Sequence, residues 1–390
     1  MTTPLPPLLI YCQHSLGLGH LARTWALADA LSSHFHVVLA SGGEWPAGLE
    51  PPPLEMIDLP AVALTLDGRL TPTRSSAPID EVLAARTRIL RGAVHRLRPQ
   101  VVVIELFPFG RRKFRGEILA LLAEARRLAR PVVAVSVRDL LVRRGANQAD
   151  YDDRVRQTLD AHFDLVLVHA DAAFASLEDT FRPSVPSRVP VHHTGFVVPA
   201  DTGVVCGGAR RGIVVSGGGG RFAEPLYVTA IDAHARLGPE RPPMTIVAGP
   251  LCPDTTLERV RRAAAASPDV VVESTVSDLC RLLRTAALSV SQCGYNTALD
   301  ILRARVPAIV VPFADNGDSE QTDRARRLER LNAVRVFSGA LDAAALCAAM
   351  KSGLDFVPAA TAFDLGGAAA SAAILKQALD SKSLVAAAQS

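Results

Sequence analysis

Ser289-Val290-Ser291-Gln292-Cys293-Gly294-Tyr295-Asn296-Thr297-Ala298-Leu299-Asp300 decides how this chain is read. A short apolar run gives way to a polar turn with a glycine, and a helix-forming stretch follows with an acid near its second turn. A strand–turn–helix junction of this kind leaves the first helical amides unpaired and aims the positive end of the helix dipole at the turn, a setting suited to an anion. Val306-Pro307-Ala308-Ile309-Val310-Val311-Pro312-Phe313 comes next, a second buried-strand run that stops at Pro-Phe, and Glu320-Gln321 follows on the loop beyond. Glycine turn, polar helix start, acid and amide side chain together make the constellation of a nucleotide-sugar site.

The rest of the second half has the same rhythm. Apolar runs at Ile213–Ser216, Thr245–Ala248, Val270–Glu273, Leu288–Val290, Ala308–Val311 and Ala333–Val336 alternate with longer amphipathic or Ala/Arg-rich segments. In the first half Pro7–Cys12, His36–Ala40, Val101–Glu105, Val132–Val137 and Leu165–His169 do likewise. This is the pattern of repeated βαβ units around a parallel sheet. Arg182–Arg211, rich in proline, glycine and valine and without helical periodicity, reads as a linker. The expectation is an α/β chain of two Rossmann-like, doubly wound parallel-sheet domains, 1–198 and 199–363. Residues 364–390 would add a terminal helix over Asp364–Leu379 and a frayed tail.

Composition fits that picture. The 390 residues suit two domains, and 49% hydrophobic against 21% charged residues leaves ample apolar surface to bury. A net charge of +3 argues against a dedicated nucleic-acid binder. The six cysteines form no C-x-x-C pair and no Cys/His cluster at zinc spacing, so reduced thiols and no bound metal are expected. The N-terminus has no basic leader region and no run reaches the length of a membrane span, so the expected location is the cytoplasm.

Two further glycine turns carry candidate chemistry. Gly17-Leu18-Gly19-His20-Leu21-Ala22 follows the first strand and satisfies the G-x-G-x-x-A dinucleotide fingerprint. A nicotinamide site would want an acid at the end of the second strand, where the chain reads Leu39-Ala40-Ser41-Gly42-Gly43, with Glu44 beyond. His20 stands at the carboxyl end of the first strand, where open α/β sheets place ligands; it serves either as a neutral general base or as a residue that caps and packs. His14 either lines the same site or is a loop histidine. Ser216-Gly217-Gly218-Gly219-Gly220 lacks the Lys and Ser/Thr of a Walker loop and reads as an amide-lined cradle for a diphosphate or as a flexible turn.

The 289–321 constellation resembles the donor-binding half of the MurG-like and plant-type UDP-sugar glycosyltransferases of the GT-B fold, whose two domains face each other across a cleft. The segments ELFPFGRRKF (105–114), SVRDLLV (136–142), FDLVLVHAD (163–171), HTGFV (193–197) and AGPL (248–251) extend the resemblance to a bacterial MurG-like group. The resemblance implies that Gly294, Tyr295, Asn296 and Thr297 hold the diphosphate, that Asp300 meets the ribose hydroxyls, and that Glu320 and Gln321 read the donor sugar. It further implies His20 as acceptor base, with Glu105 or Asp139 as its acid partner, and closure about residues 196–211. The family more often has Glu at the ribose position, and the MurG group has Gln-Gln where this chain has Glu-Gln. The co-substrate implied is an NDP-sugar, by resemblance a UDP-sugar, with no cofactor and no metal; the acceptor is a small or lipid-linked molecule, with peripheral membrane contact open.

Two features point elsewhere. Asp150-Tyr151-Asp152 matches a D-x-D metal motif but opens an amphipathic stretch and reads as a solvated helix. Arg111, Arg112 and Lys113 read as helix-face charge, or as contacts to an anionic acceptor or headgroup. The rivals to glycosyl transfer are a UDP-sugar 2-epimerase of the same fold, a Rossmann NAD(P) oxidoreductase using the 17–22 turn, and a nucleotide-sugar sensor without turnover.

Overall fold

The computed structural model describes residues 4–14, 19–45, 53–65, 68–143, 147–199, 208–313 and 320–388. The chain divides into two compact units. The first holds the described residues up to Pro199 together with Phe363 onward, and the second holds the described residues from there up to Ala362.

In the first unit, β1 (Pro7–Cys12), β2 (His36–Ser41), β3 (Glu55–Asp58), β6 (Val101–Glu105), β7 (Val132–Arg138), β8 (Leu165–His169) and β9 (Val191–His193) form one sheet in the order β3-β2-β1-β6-β7-β8-β9. All six pairings are parallel. Val101-Val102-Val103-Ile104 is buried throughout, as expected of a central parallel strand covered on both faces. A small antiparallel hairpin, β4 (Val62–Leu64) with β5 (Leu70–Pro72), stands apart from the sheet. Neither β3, the hairpin nor β9 was expected from the sequence, and β9 lies inside the stretch read as linker.

The second unit contains β10 (Ile213–Ser216), β11 (Met244–Val247), β12 (Val270–Glu273), β13 (Leu288–Ser291), β14 (Ala308–Val310) and β15 (Arg335–Val336), all parallel, in the order β12-β11-β10-β13-β14-β15. Its core is built from Ile213, Val215, Ile246 and Val290 of the strands with Leu346 and Met350 of α10 (Ala343–Leu354). Asp342 caps that helix by accepting the amides of Ala344 and Ala345, each at 2.9 Å.

The chain then returns to the first unit. Phe363 makes edge-on contacts with Phe174 and Phe196, and Phe196 donates its amide to Asp364 at 2.7 Å. Helix α11 (Gly367–Ala388) packs on α1 (Gly19–Leu31), adding Ala372 and Leu375 to the core of Leu21, Leu27 and Leu31. A side chain at Gly367 would strike the Gly195 carbonyl, so glycine lets the helix start against that backbone. The helix runs past Leu379 to Ala388, through the stretch expected to fray.

Each sheet has one place where strand order reverses: between β1 and β6 in the first unit, and between β10 and β13 in the second. Helices leave such a pair of strands in opposite directions, opening a crevice at their carboxyl ends where ligands of open α/β sheets bind. β1 and the start of α1 meet β6 at the first of these points, and the glycine turn at 217–220 follows β10 at the second.

Candidate active site

At the first switch point, β1 ends at Cys12, α1 begins at Gly19, and Glu105 ends β6. His20 Nδ1 and Glu105 Oε1 are 2.5 Å apart, with the imidazole 13% and the carboxylate 2% exposed. Arg23, on the same helix, donates to the same oxygen at 2.6 Å, and Arg111 Nε lies 3.8 Å from Oε2. Burial by itself would push the Glu105 carboxyl up; His20, Arg23 and Arg111 outweigh it and hold the group well below the usual carboxylate range. For His20 burial is the largest influence and lowers the pKa to about 3, with Glu105 pulling upward and Arg111 and Arg138 pushing down. The imidazole is therefore neutral at neutral pH. Because a carboxylate can only accept, Nδ1 carries the proton and Nε2 keeps its lone pair.

The surrounding polar groups are set by the same strands. His169 at the end of β8 is fully buried, bonded to Ser136 Oγ at 2.8 Å and to Thr194 Oγ1 at 3.0 Å, and burial lowers its pKa to about 3. His14 is buried too, its Nε2 3.3 Å from Ser41 Oγ; burial lowers it to about 4. Asp139 is buried just beyond β7 and accepts the Leu140 amide at 2.9 Å. Gly19 opens α1, and Gly17 lies outside the described residues. Arg86 is fully buried: it meets Glu117 at 2.6 Å, Gln13 Oε1 at 2.5 Å and the carbonyls of Gly42 and Pro60.

The turn from Leu106 to Arg111 carries two non-glycine residues in the left-handed region, Leu106 at φ +66° and Arg111 at φ +55°. Such residues are held in place only where neighbours over-determine them. Here Gly110 donates to the Leu106 carbonyl at 2.9 Å, and the Tyr151 hydroxyl donates to the Phe109 carbonyl at 2.5 Å. Tyr151 belongs to the Asp150-Tyr151-Asp152 motif, and this corrects the solvated-helix reading. The motif does lie on a helix, α4 (Gln148–His162), but Tyr151 and Asp152 face inward, and Asp152 accepts from Gln148 Nε2 and the Arg182 amide. Of the basic trio, Arg111 turns toward Glu105, whereas Arg112 and Lys113 are exposed. Glu44 is half exposed beside Arg74 at 3.6 Å, and β2 ends on Ser41, so the acid of a nicotinamide site is missing where it would be needed.

At the second switch point the glycine turn is more ordered than a flexible loop and less open than an amide cradle. The Gly217 amide donates to Tyr227 Oη at 3.2 Å, Gly218 to Ser216 Oγ at 3.2 Å, and Gly220 to the Gly217 carbonyl at 3.1 Å. These three amides are occupied, and among the described residues Gly219 alone of the four has an amide with no such bond. Gly220, at φ +86°, leaves no room for a side chain against the Ala248 carbonyl, and Gly217 none against Ala223 and Tyr227. A side chain at Gly218 would reach Thr297 Oγ1, so this turn and the start of α8 (Tyr295–Ala304) are neighbours.

Gly294 is the N-cap of α8 and provides no side-chain cap to the first-turn amides. Tyr295 and Thr297 are buried and Asn296 is half-buried. Asp300 lies on the same helix, 3.8 Å from Arg303; burial raises its carboxyl to about 7, with Arg303 opposing and Asp278 adding to the rise. Gln321 Oε1 accepts the amides of Cys293 at 3.0 Å and Phe313 at 3.1 Å, which leaves its Nε2 as the group able to donate to a ligand. Glu320, at the start of α9 (Glu320–Arg330), is buried and bonded to Arg324 at 2.5 Å, and Arg324 also reaches the Cys293 carbonyl at 2.9 Å. Phe222, in the segment after β10, and Phe313, just after β14, stack at 5.4 Å and 6°.

Arg23 and His169 were not singled out from the sequence. Arg23 had one signal, its place three residues after His20 on a predicted helix, which puts both on one face. Among the described residues no helix is long and apolar enough to cross a membrane.

Residues 226–344 match the glycosyltransferase family 28 C-terminal domain. Over 190 residues the chain is 28% identical to the UDP-N-acetylglucosamine--N-acetylmuramyl-(pentapeptide) pyrophosphoryl-undecaprenol N-acetylglucosamine transferase of Azotobacter vinelandii, a match covering 48% of this chain and 52% of that one. The transferase of the same name from Pseudomonas fluorescens is 32% identical over 133 residues, 33% of this chain and 36% of that one. The chain thus spans about half the length, or less, of these curated relatives. Among solved structures, MurG of Acinetobacter baumannii shares the fold at a TM-score of 0.58 and 16% identity, covering 95% of this chain and 100% of that one. The chain thus has two parallel-sheet α/β units of the GT-B fold, and its second unit carries the match to the glycosyltransferase family 28 C-terminal domain.

Proposed function

We propose that the protein transfers a glycosyl group from a nucleotide-diphosphate sugar to an acceptor hydroxyl, with inversion and without a cofactor or metal. The observation that carries the reading is the His20–Glu105 pair at the first switch point. A neutral imidazole with Nδ1–H given to a buried carboxylate has Nε2 ready to take a proton, the arrangement a general base needs. His20 Nε2 accepts the proton of the acceptor hydroxyl as its oxygen bonds to the anomeric carbon. The bond from that carbon to the diphosphate oxygen breaks, and the nucleoside diphosphate leaves with the electron pair.

The second unit supplies the donor site in this reading. The α8 N-terminus beside Gly218 and Gly219 stabilises the diphosphate, where negative charge grows as the bond breaks. Gly294, Tyr295, Asn296 and Thr297 form that helix start. Asp300 accepts from the ribose hydroxyls and Gln321 Nε2 donates to a hydroxyl of the sugar, while Glu320, engaged by Arg324, orders the start of α9. Both curated relatives carry UDP-N-acetylglucosamine in their names, which favours uridine as the nucleotide. The acceptor is a small or lipid-linked molecule, met at the cytoplasmic side.

Calorimetric titration of the full chain with UDP, dTDP, UDP-hexoses, NAD and NADP tests the donor half. The expected result is binding of a nucleoside diphosphate or its sugar and none of the dinucleotides. Binding of NAD or NADP with no response to any diphosphate would overturn the reading.

A further inference from the structure

Arg23 is 2% exposed, and a guanidinium at that depth is costly unless a carboxylate meets it. Glu105 Oε1 does so at 2.6 Å, and it is the oxygen that also receives His20 Nδ1 at 2.5 Å. A buried ion pair is a poor way to gain stability, since apolar side chains of similar volume often do as well. Packing therefore gives no reason to place a cation on the one carboxylate oxygen that the imidazole uses. A reason appears if Glu105 has to remain ionised in a site that excludes water.

We propose that Arg23 is a positioning residue that keeps the Glu105 carboxylate charged and turned toward His20, so that His20 holds its proton on Nδ1 and presents Nε2. This rests on the reading of His20 as base. Four groups set the charge around the imidazole: Glu105 from β6, Arg111 from the turn after it, Arg138 from the end of β7 and Arg23 from its own helix. Behind them His169 is neutral, and burial pushes the Cys12 thiol up to about 12, so neither supplies charge at neutral pH. Removing Arg23 takes one positive charge from the carboxylate and leaves the imidazole as the group able to replace it. His20 then binds a second proton at higher pH.

The test is nitrogen NMR of the full chain labelled at histidine, from pH 9 down to pH 3, with His20→Gln to assign the signals. Wild type should show His20 protonated on Nδ1 and bare on Nε2 from pH 9 down to about pH 4, with the second proton arriving only near pH 3. In Arg23→Met, and in Arg23→Gln, which keeps a donor but no charge, the His20 titration should move up by at least about one pH unit. Arg23→Lys should restore the wild-type pattern. A folded Arg23→Met or Arg23→Gln with unchanged His20 titration overturns the proposal, and so, without any variant, does a wild-type His20 protonated on Nε2 at neutral pH. No substrate enters this measurement, so a chain with the expected tautomer that binds no nucleotide sugar would refute the functional reading alone.

Discussion

His20 Nδ1 lies 2.5 Å from Glu105 Oε1, although the two residues are 85 positions apart in the chain. They meet because β1 and β6 are neighbours in the sheet while β2 and β3 lie on the far side of β1. Strand order thus places a helix-start histidine and a strand-end carboxylate in the same crevice, which is what an acid-oriented base requires.

Nucleotide binding should be linked to loss of a proton from Asp300. In the free protein burial holds that carboxyl near 7, and a ribose hydroxyl donates best to the ionised form. Affinity for UDP should therefore rise as pH goes from 6 to 8, with proton release visible as a buffer-dependent enthalpy in calorimetry. Asp300→Asn should remove the pH dependence and weaken binding at pH 8 by about 1–3 kcal/mol. An Asn variant with the wild-type affinity and pH profile would take Asp300 out of the site.

Asp300 should also cost stability, with a definite sign. The unfolded carboxyl loses its proton near about 4 and the folded one near 7, so between these values the folded state binds more protons and stability falls as pH rises. Asp300→Asn should thus melt above wild type at pH 8, with the advantage vanishing toward pH 4. An Asn variant that melts lower at pH 8 would mean that the charged carboxylate is stabilising.

The glycine turn separates two kinds of glycine. Gly220→Ala puts a side chain at φ +86° against the Ala248 carbonyl and should cost about 1–3 kcal/mol in urea unfolding. Gly219→Ala meets nothing nearer than Leu251 Cδ1 at 3.7 Å and should be neutral within about 0.5 kcal/mol. Its added methyl beside the amide left for a ligand should weaken UDP binding all the same. Equal destabilisation by both substitutions would contradict this account of the turn.

Arg86 and Glu117 form a buried pair that also holds Tyr11 of β1 and Gln13 just after that strand. Glu117→Leu alone strands the guanidinium and should destabilise by about 3–5 kcal/mol. Adding Arg86→Met should recover part of that loss, because both charges are then gone. A double variant as unstable as the sum of the two singles would argue against pairing as the cause.

The sequence exposed the central strands because Val101–Glu105 and Leu288–Ser291 are buried on both faces and so read as unbroken apolar runs. It hid β3, β4, β5 and β9, which are short and partly exposed and have too few residues for a pattern. It showed His20, Glu105 and Asp139 as strand-end candidates but could not say which acid touches the histidine, since that depends on strand order and side-chain direction. Arg23 was lost among 42 basic residues because burial, the property that makes it unusual, is invisible in one dimension. The glycine turn was visible, whereas the occupation of its amides depends on Tyr227, whose hydroxyl arrives from the following helix. The docking of α11 on the first unit was likewise beyond reach, since helix propensity states that a helix forms and not where it packs.

The most direct test of the central claim is the initial rate of nucleoside diphosphate release from the donor, with acceptor present, for wild type and His20→Ala, beside donor affinity for each. The account predicts a fall of about 10²–10⁴-fold in turnover with donor affinity unchanged and the fold intact by circular dichroism. A folded His20→Ala protein that turns over at the wild-type rate would contradict it.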